Sequence, residues 1–339
     1  MNKIVLVSFD KGSDVVADHM IPLLAGSSHP IIIKRAEDPD SVDWIEGNDE
    51  IIERYRHPDL EKMSDISSLT GPDDGERGDG GRFKDKANLG NQSGSVLSPH
   101  SVTVRDYDLV QRLLEGINPG DMVISIIDIG SVDRILPARY FSGEVLNLGG
   151  SSFCIALNRG RFKSIRDLEL MNKEYLDLGL QFNGVIALPP KVIKQHRYMD
   201  IANIVRHLAK MMFAPGVVNL DHADLLITSR GGTVLTMTWG VAQPGGNGAA
   251  TSVNDALTNP LCQVDLATVR KALVNVVGGA NLSLEDSLVA AEVLKRRIRE
   301  DARIIWGVTL IDENEEDMEV FLILATTPLE LLLHWYSGR

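Results

Sequence analysis

Apolar and polar positions change their period several times along the 339 residues. "IVLVSF" (4–9) is an unbroken apolar run, followed by the polar turn "DKGS" and apolar residues at helical spacing from Asp14 to Leu24. "PIIIKR" (30–35) is a second short apolar run. Two such runs joined through a helix predict a βαβ unit and therefore a parallel sheet, since parallel neighbours need a crossover. The pattern then predicts a helix near Asp106–Leu114 and strands at 121–128, 144–148 ("EVLNL") and 151–157, with "NGVIALPP" (183–190) closing the sheet. "SIRDLELMNKEYLDLGL" (164–180) reads as an amphipathic helix. A longer one from Arg197 to Phe213 places Ile201, Ile204, Val205, Leu208 and Met212 on one face.

The second half has a different grammar. Strands are expected at 233–242, 269–279, 302–311 and 318–327, with a helix at 247–260 that stops at Asn259-Pro260. "SLEDSLVAAEVLKRRIRE" (283–300) opens at a Ser283 N-cap with acids in its first turn. Its predicted buried stripe is Leu284, Leu288, Ala291, Leu294 and Ile298. The fold class is therefore α/β in the first half and α+β with a mixed sheet in the second. Between residues 70 and 100 the chain is rich in Gly, Asp and Ser with few apolar residues, which predicts a flexible insertion, bounded at 58–101.

A net charge of −13 disfavours nucleic acid and anionic membrane as partners. Two cysteines, Cys154 and Cys262, form no framework and read as small core residues in a reducing, cytoplasmic compartment. "MNKIVLVSFD" is charged too early for a signal peptide, and no apolar run reaches membrane-spanning length. His196, His207 and His222 lack metal-ligand spacing and read as surface side chains, with no metal site expected. "GGTVL" (231–235) and Gly245-Gly246 read as turns, and the acidic run 311–319 as a solvated hairpin loop.

The densest candidate chemistry is "APGVVNLDHADLLITS" (214–229), where Asn219, Asp221 and Asp224 follow a Pro-Gly break. The motif Pro-Gly-x-x-Asn-x-Asp-x-x-Asp resembles the synergy loop of FtsZ, in the tubulin superfamily. Residues 259–327, with their strand–glycine turn–helix entry and the "WGVTLID" strand end, are similar to the FtsZ C-terminal domain, and the likeness is good over about 210–327. The resemblance implies a Rossmann-like GTP-binding domain (1–190), a central helix (191–218), an FtsZ-like C-terminal domain (219–327) and a short apolar tail (328–339). It implies head-to-tail stacking with itself or with a conventional FtsZ, at the division site, and GTP and Mg²⁺ as ligands. Asn219, Asp221 and Asp224 would then polarise water in a neighbour's pocket. On the residues alone, the same three side chains would equally cap the following turn.

The family's two glycine-rich phosphate turns are largely lost. "SFDKGSD" keeps Gly12 and Ser13 beside Asp10 and Asp14, while "IDIGSVDRILP" keeps Gly130 and Ser131 between Asp128 and Asp133, with Pro137 set to disturb the next helix. Arg166 falls near the family's nucleotide-contacting arginine, or is a solvated cation. Asp200 lies one residue out of register with the base-reading acid, where Tyr198 and Met199 stand. Three functions follow: a filament-forming or FtsZ-regulating subunit with a degenerate site, a GTPase with a pocket rebuilt around Asp10, Asp128 and Asp133, or a binding protein reusing the fold. The tail "TPLELLLHWYSGR" either packs back on the domain or docks a membrane-tether partner.

Overall fold

The computed structural model describes residues 3–9, 11–24, 30–36, 42–45, 104–129, 132–158, 164–214, 216–242, 247–259, 261–279, 282–311 and 318–337. The insertion expected at 58–101, residues 312–317 of the acidic run, Gly130 and Ser131 lie outside them. β1 (Ile4–Ser8) and β2 (Ile31–Arg35) pair in parallel through α1 (Lys11–Leu24), so the first βαβ unit forms as its apolar runs predict. β3 (Val42–Ile45) adds antiparallel to β2, and β4 (Met122–Asp128) joins the other side of β1. β5 (Ser151–Leu157) and β6 (Gly184–Leu188) extend the parallel sheet.

Alternation along β1 sorts the core into two layers. Ile4 and Leu6 share a cluster with Val16, Ala17 and Met20 of α1 and with Ile201, Ile204 and Val205 of α6 (Tyr198–Phe213). Val5 and Val7 share the other with α2 (Val104–Leu114), α3 (Val132–Asn147) and α4 (Ile165–Gly179). A short helix, α5 (Pro190–Lys194), precedes α6. Lys3 and Asp121 pin β1 to the entry of β4 by a buried ion pair of 2.6 Å, and Asp121 also accepts from the Lys3 and Asn118 amides.

Two expectations fail around α3. Residues 144–147 are helix, not strand, and Pro137 lies inside that helix rather than disturbing it. The helix persists because Ala138, Phe141 and Val145 recur at helical spacing and are fully buried, while Pro137 removes a single backbone donor near the N-terminal end.

The sheet does not close at β6. A contact between Ile186 and Leu235 carries it into β8 (Val234–Ala242), and the order of the described strands is β3-β2-β1-β4-β5-β6-β8-β11-β9-β10-β7, with β7 (Gly216–Val218), β9 (Lys271–Gly278), β10 (Arg303–Leu310) and β11 (Met318–Thr326). α7 (His222–Ser229) follows β7. α8 (Gly248–Thr258) and α9 (Leu284–Lys295) cover one face of the second half. At Gly240 of β8 an added Cβ would lie 2.2 Å from Ala256 N and Ser252 O, so α8 rests directly on the strand. Small residues also set α9, whose buried side is Ser287, Ala290 and Leu294. The predicted stripe is thus rotated, and Leu288 is 44% exposed.

The tail forms α10 (Pro328–Ser337), with Leu331 and Leu332 buried and Trp335 Nε1 donating to Gln263 O at 2.7 Å. Among the described residues, no helix is long and apolar enough to cross a membrane. Cys154 and Cys262 are both free, and burial pushes the Cys262 thiol up to about 12 and Cys154 higher still, as suits inert core thiols.

His207 corrects another expectation, because it is not on the surface. It is 5% exposed, stacked on Phe321 of β11 with ring centroids 4.8 Å apart, and 5.5 Å from Trp239 of β8. α6 thus buries two faces, one on the first half of the sheet and one on the second, which a single apolar stripe does not reveal. Burial, with the charges of Lys210 and Arg206, lowers the His207 pKa from 6.5 to about 3. The unfolded chain takes up this proton below its ordinary pKa and the folded chain does not. The contribution is therefore complete above that value and is lost as the pH falls toward 3, at about 1.4 kcal/mol per pH unit. Chemical denaturation between pH 7 and 4 should give a shallower loss of stability for His207→Phe than for the wild type; parallel curves would contradict this.

Candidate functional site

Strand order reverses at β1, whose neighbours are β2 on one side and β4 on the other. A parallel sheet opens a crevice at such a point, beyond the carboxyl ends of its strands. Ser8 ends β1 there, and α1 starts three residues later with Gly12 and Ser13 in its first turn. Ser13 Oγ accepts from the Phe9 amide at 3.0 Å, and the Ser8 hydroxyl donates to Asp14 Oδ1 at 2.5 Å. The helix N-terminus, which attracts anions, therefore already carries a carboxylate of its own chain. Asp128, half-buried, ends β4 on the other side of the crevice. Asp14 and Asp128 thus place two carboxylates beside the strand ends that border this crevice.

The remaining predicted contacts have different settings. Arg166 is exposed in the first turn of α4. Asp200 is 8% exposed in the first turn of α6 and ion-paired with Arg197; burial raises its pKa while Arg197 opposes the rise. Tyr198 lays its ring against His19 of α1, centroids 4.5 Å apart, and its hydroxyl lies 2.9 Å from His196 Nδ1. Met199 is 47% exposed.

The carboxylate loop follows α6. Asn219 Oδ1 accepts from the Gly216 amide at 2.8 Å and tightens the turn, while β7 pairs antiparallel with β10. Leu220 is buried over Gly307, where an added Cβ would come within 2.4 Å of Leu220 Cγ. Asp221 is the N-cap of α7. Its Oδ1 accepts from the Asp224 amide, and Asp224 Oδ2 accepts from the Asp221 amide, each at 3.0 Å. This reciprocal capping box confirms the turn-capping reading of the pair, and it does not exhaust either carboxylate, which offers several lone pairs. Asn219 and Asp221 are exposed and Asp224 is half-buried.

His222, the first residue of α7, is half-buried rather than a free surface side chain, and its Nε2 lies 3.1 Å from Ser151 Oγ. Burial lowers its pKa against the pull of Asp221. Ser151 begins β5, so the contact fixes the carboxylate loop at the amino end of the parallel strands. The crevice is at their carboxyl end, about 20 Å away along a seven-residue strand. Sequence reading missed this contact: its residues are 71 positions apart and carry no motif.

Comparison with known proteins bears on this arrangement. The family described as "FtsZ family, C-terminal domain" matches residues 233–327, which hold β8 to β11 with α8 and α9. "Cell division protein FtsZ 1" of Halobacterium salinarum is 38% identical over 121 residues, covering 36% of this chain and 30% of that protein. Among solved structures, the empty FtsZ dimer of M. jannaschii superposes with a TM-score of 0.56 at 14% identity, over 96% of this chain and 88% of that one. The GDP-bound monomer of CetZ1 from Haloferax volcanii gives 0.59 at 11% identity, over 99% of both. Residues 233–327 thus match the FtsZ C-terminal domain, and the fold as a whole is that seen in FtsZ and CetZ structures.

The FtsZ-like match is uneven. The aligned segment spans about a third of the length of the first curated relatives. The crevice residues and the carboxylate loop both lie outside 233–327, the range matched by the family's C-terminal domain. The capping geometry predicts that Asp221→Ala lowers stability by about 1 kcal/mol, whereas Asp221→Asn, which keeps an N-cap acceptor, is close to neutral. Thermal melts of the two variants check this; equal losses would contradict it.

Proposed function

We propose that this chain is a cytoskeletal subunit of the FtsZ type that associates head to tail and offers its carboxylate loop to the crevice of a neighbour, either a second copy or a conventional FtsZ. The observation that carries the reading is the position of the loop. Held to Ser151 through His222, it stands at the end of the strands opposite the chain's own crevice, so its acids serve another molecule or none. In this reading Asn219 shapes the turn, and Asp221 and Asp224 order and polarise a water for attack on a nucleotide held by a conventional FtsZ neighbour, while contact with a second copy is assembly alone. In the same reading a nucleotide-domain equivalent spans 1–190, a central helix 191–218 and the C-terminal domain 219–327.

The chain's own crevice is the altered partner in this pairing. Asp14 at the N-terminus of α1 and Asp128 at the end of β4 repel a nucleotide anion, so GTP with Mg²⁺ would be held weakly. Such a subunit donates a catalytic face more readily than it receives one, and works as an end-binding regulator or a copolymer. GTP hydrolysis and sedimented polymer of a conventional FtsZ should both change when this chain is added. Asp221→Asn should remove the change in hydrolysis while leaving the effect on polymer mass. If neither quantity responds to the wild-type chain, the reading fails.

A further inference from the structure

A cationic surface lies at the far end of α7 from the carboxylate loop. Arg230 follows the last residue of α7 and is exposed. Its carbonyl and that of Ile227 accept from Lys271 Nζ at 2.6 and 2.9 Å, which closes the helix C-terminus. Lys271 begins β9, and Arg303, exposed, begins β10 directly beside it in register. Like charges side by side on neighbouring strands repel. Burial and the fields of Arg303 and Arg230 together lower the Lys271 pKa.

Two acids beside these strands are committed elsewhere: Glu330 pairs with Arg270 and Asp301 with Arg299. Among the described residues, no carboxylate pairs with Arg230 or Arg303. In a chain of net charge −13, three cations are thus gathered here without an ion pair among the described residues. The surface also has an apolar flank. Gly231 and Gly232, at φ +92° and +69°, keep the turn after Arg230 low, and a Cβ on Gly232 would lie 3.9 Å from Leu176 Cδ2. Leu176 is 41% exposed and Leu180, one helical turn on, 66% exposed.

We propose that Arg230, Lys271 and Arg303, flanked by Leu176 and Leu180, form a docking surface for a short acidic peptide of a partner protein, with carboxylates on the cations and an apolar side chain against the leucines. Charge complementarity selects this occupant. The patch is a few residues wide, which suits two or three carboxylates, whereas the −13 charge of the whole chain repels a long polyanion or an anionic bilayer beyond the patch. The surface is separated from Asp221 by the eight residues of α7, about 12 Å, and its function does not depend on head-to-tail association.

Fluorescence anisotropy with a fluorescein-labelled heptapeptide of glutamate and two leucines tests this on the full chain. The peptide should bind, weaken as salt rises, and lose about tenfold or more in affinity for the double variant Arg230→Glu/Arg303→Glu. Lys271 is kept in that variant so that α7 remains capped, and circular dichroism verifies its fold. Leu176→Ser, which leaves every charge in place, should weaken the same peptide. A glutamine peptide of equal length should not bind. Unchanged affinity in the folded double variant, or tighter binding of single-stranded RNA or phosphatidylserine vesicles than of the acidic peptide, would overturn the proposal.

Discussion

The polarity of a parallel sheet governs the functional geometry of this molecule. β1, β4, β5 and β6 all run the same way, so their carboxyl ends gather at one edge and their amino ends at the other. The crevice beside Ser8 and Asp128 belongs to the first edge, and the carboxylate loop, tied to Ser151, belongs to the second. Within one molecule the two edges stand about 20 Å apart.

α6 keeps these edges in a fixed relation. One face of the helix packs on β1, β4 and β5 and another on β8 and β11, with His207 stacked on Phe321 in the second contact. Its first turn holds Asp200 and Tyr198 beside α1, and the chain leaves its far end into β7. Sixteen residues of helix give about 24 Å of rigid spacing. The cap of α7 and the seating of Leu220 over Gly307 then leave the carboxylate loop little freedom.

Residue patterns revealed much of this architecture where a single period dominated. The runs at 4–8 and 31–35 are buried on both faces and read as strands without ambiguity. Ser283 and the acids after it marked the start of α9, and the capping box there is present. Readings failed where tertiary contacts overrode a local signal. Pro137 suggested a break, but buried Ala138, Phe141 and Val145 sustain the helix. His207 looked polar and therefore exposed, because a one-stripe reading of α6 has no means to register a second buried face. The carboxylate loop was legible as a motif, whereas its anchoring by Ser151 and the meeting of Arg230, Lys271 and Arg303 arise only from the chain's return to itself.

The pairing proposed for this chain depends on whether its crevice holds a nucleotide. Calorimetric titration of the full chain with GTP and Mg²⁺ addresses that directly. With Asp14 and Asp128 beside the strand ends, no measurable heat of binding is expected up to millimolar nucleotide. Micromolar affinity would contradict it, since the crevice would then be a rebuilt nucleotide site and the chain a GTPase in its own right.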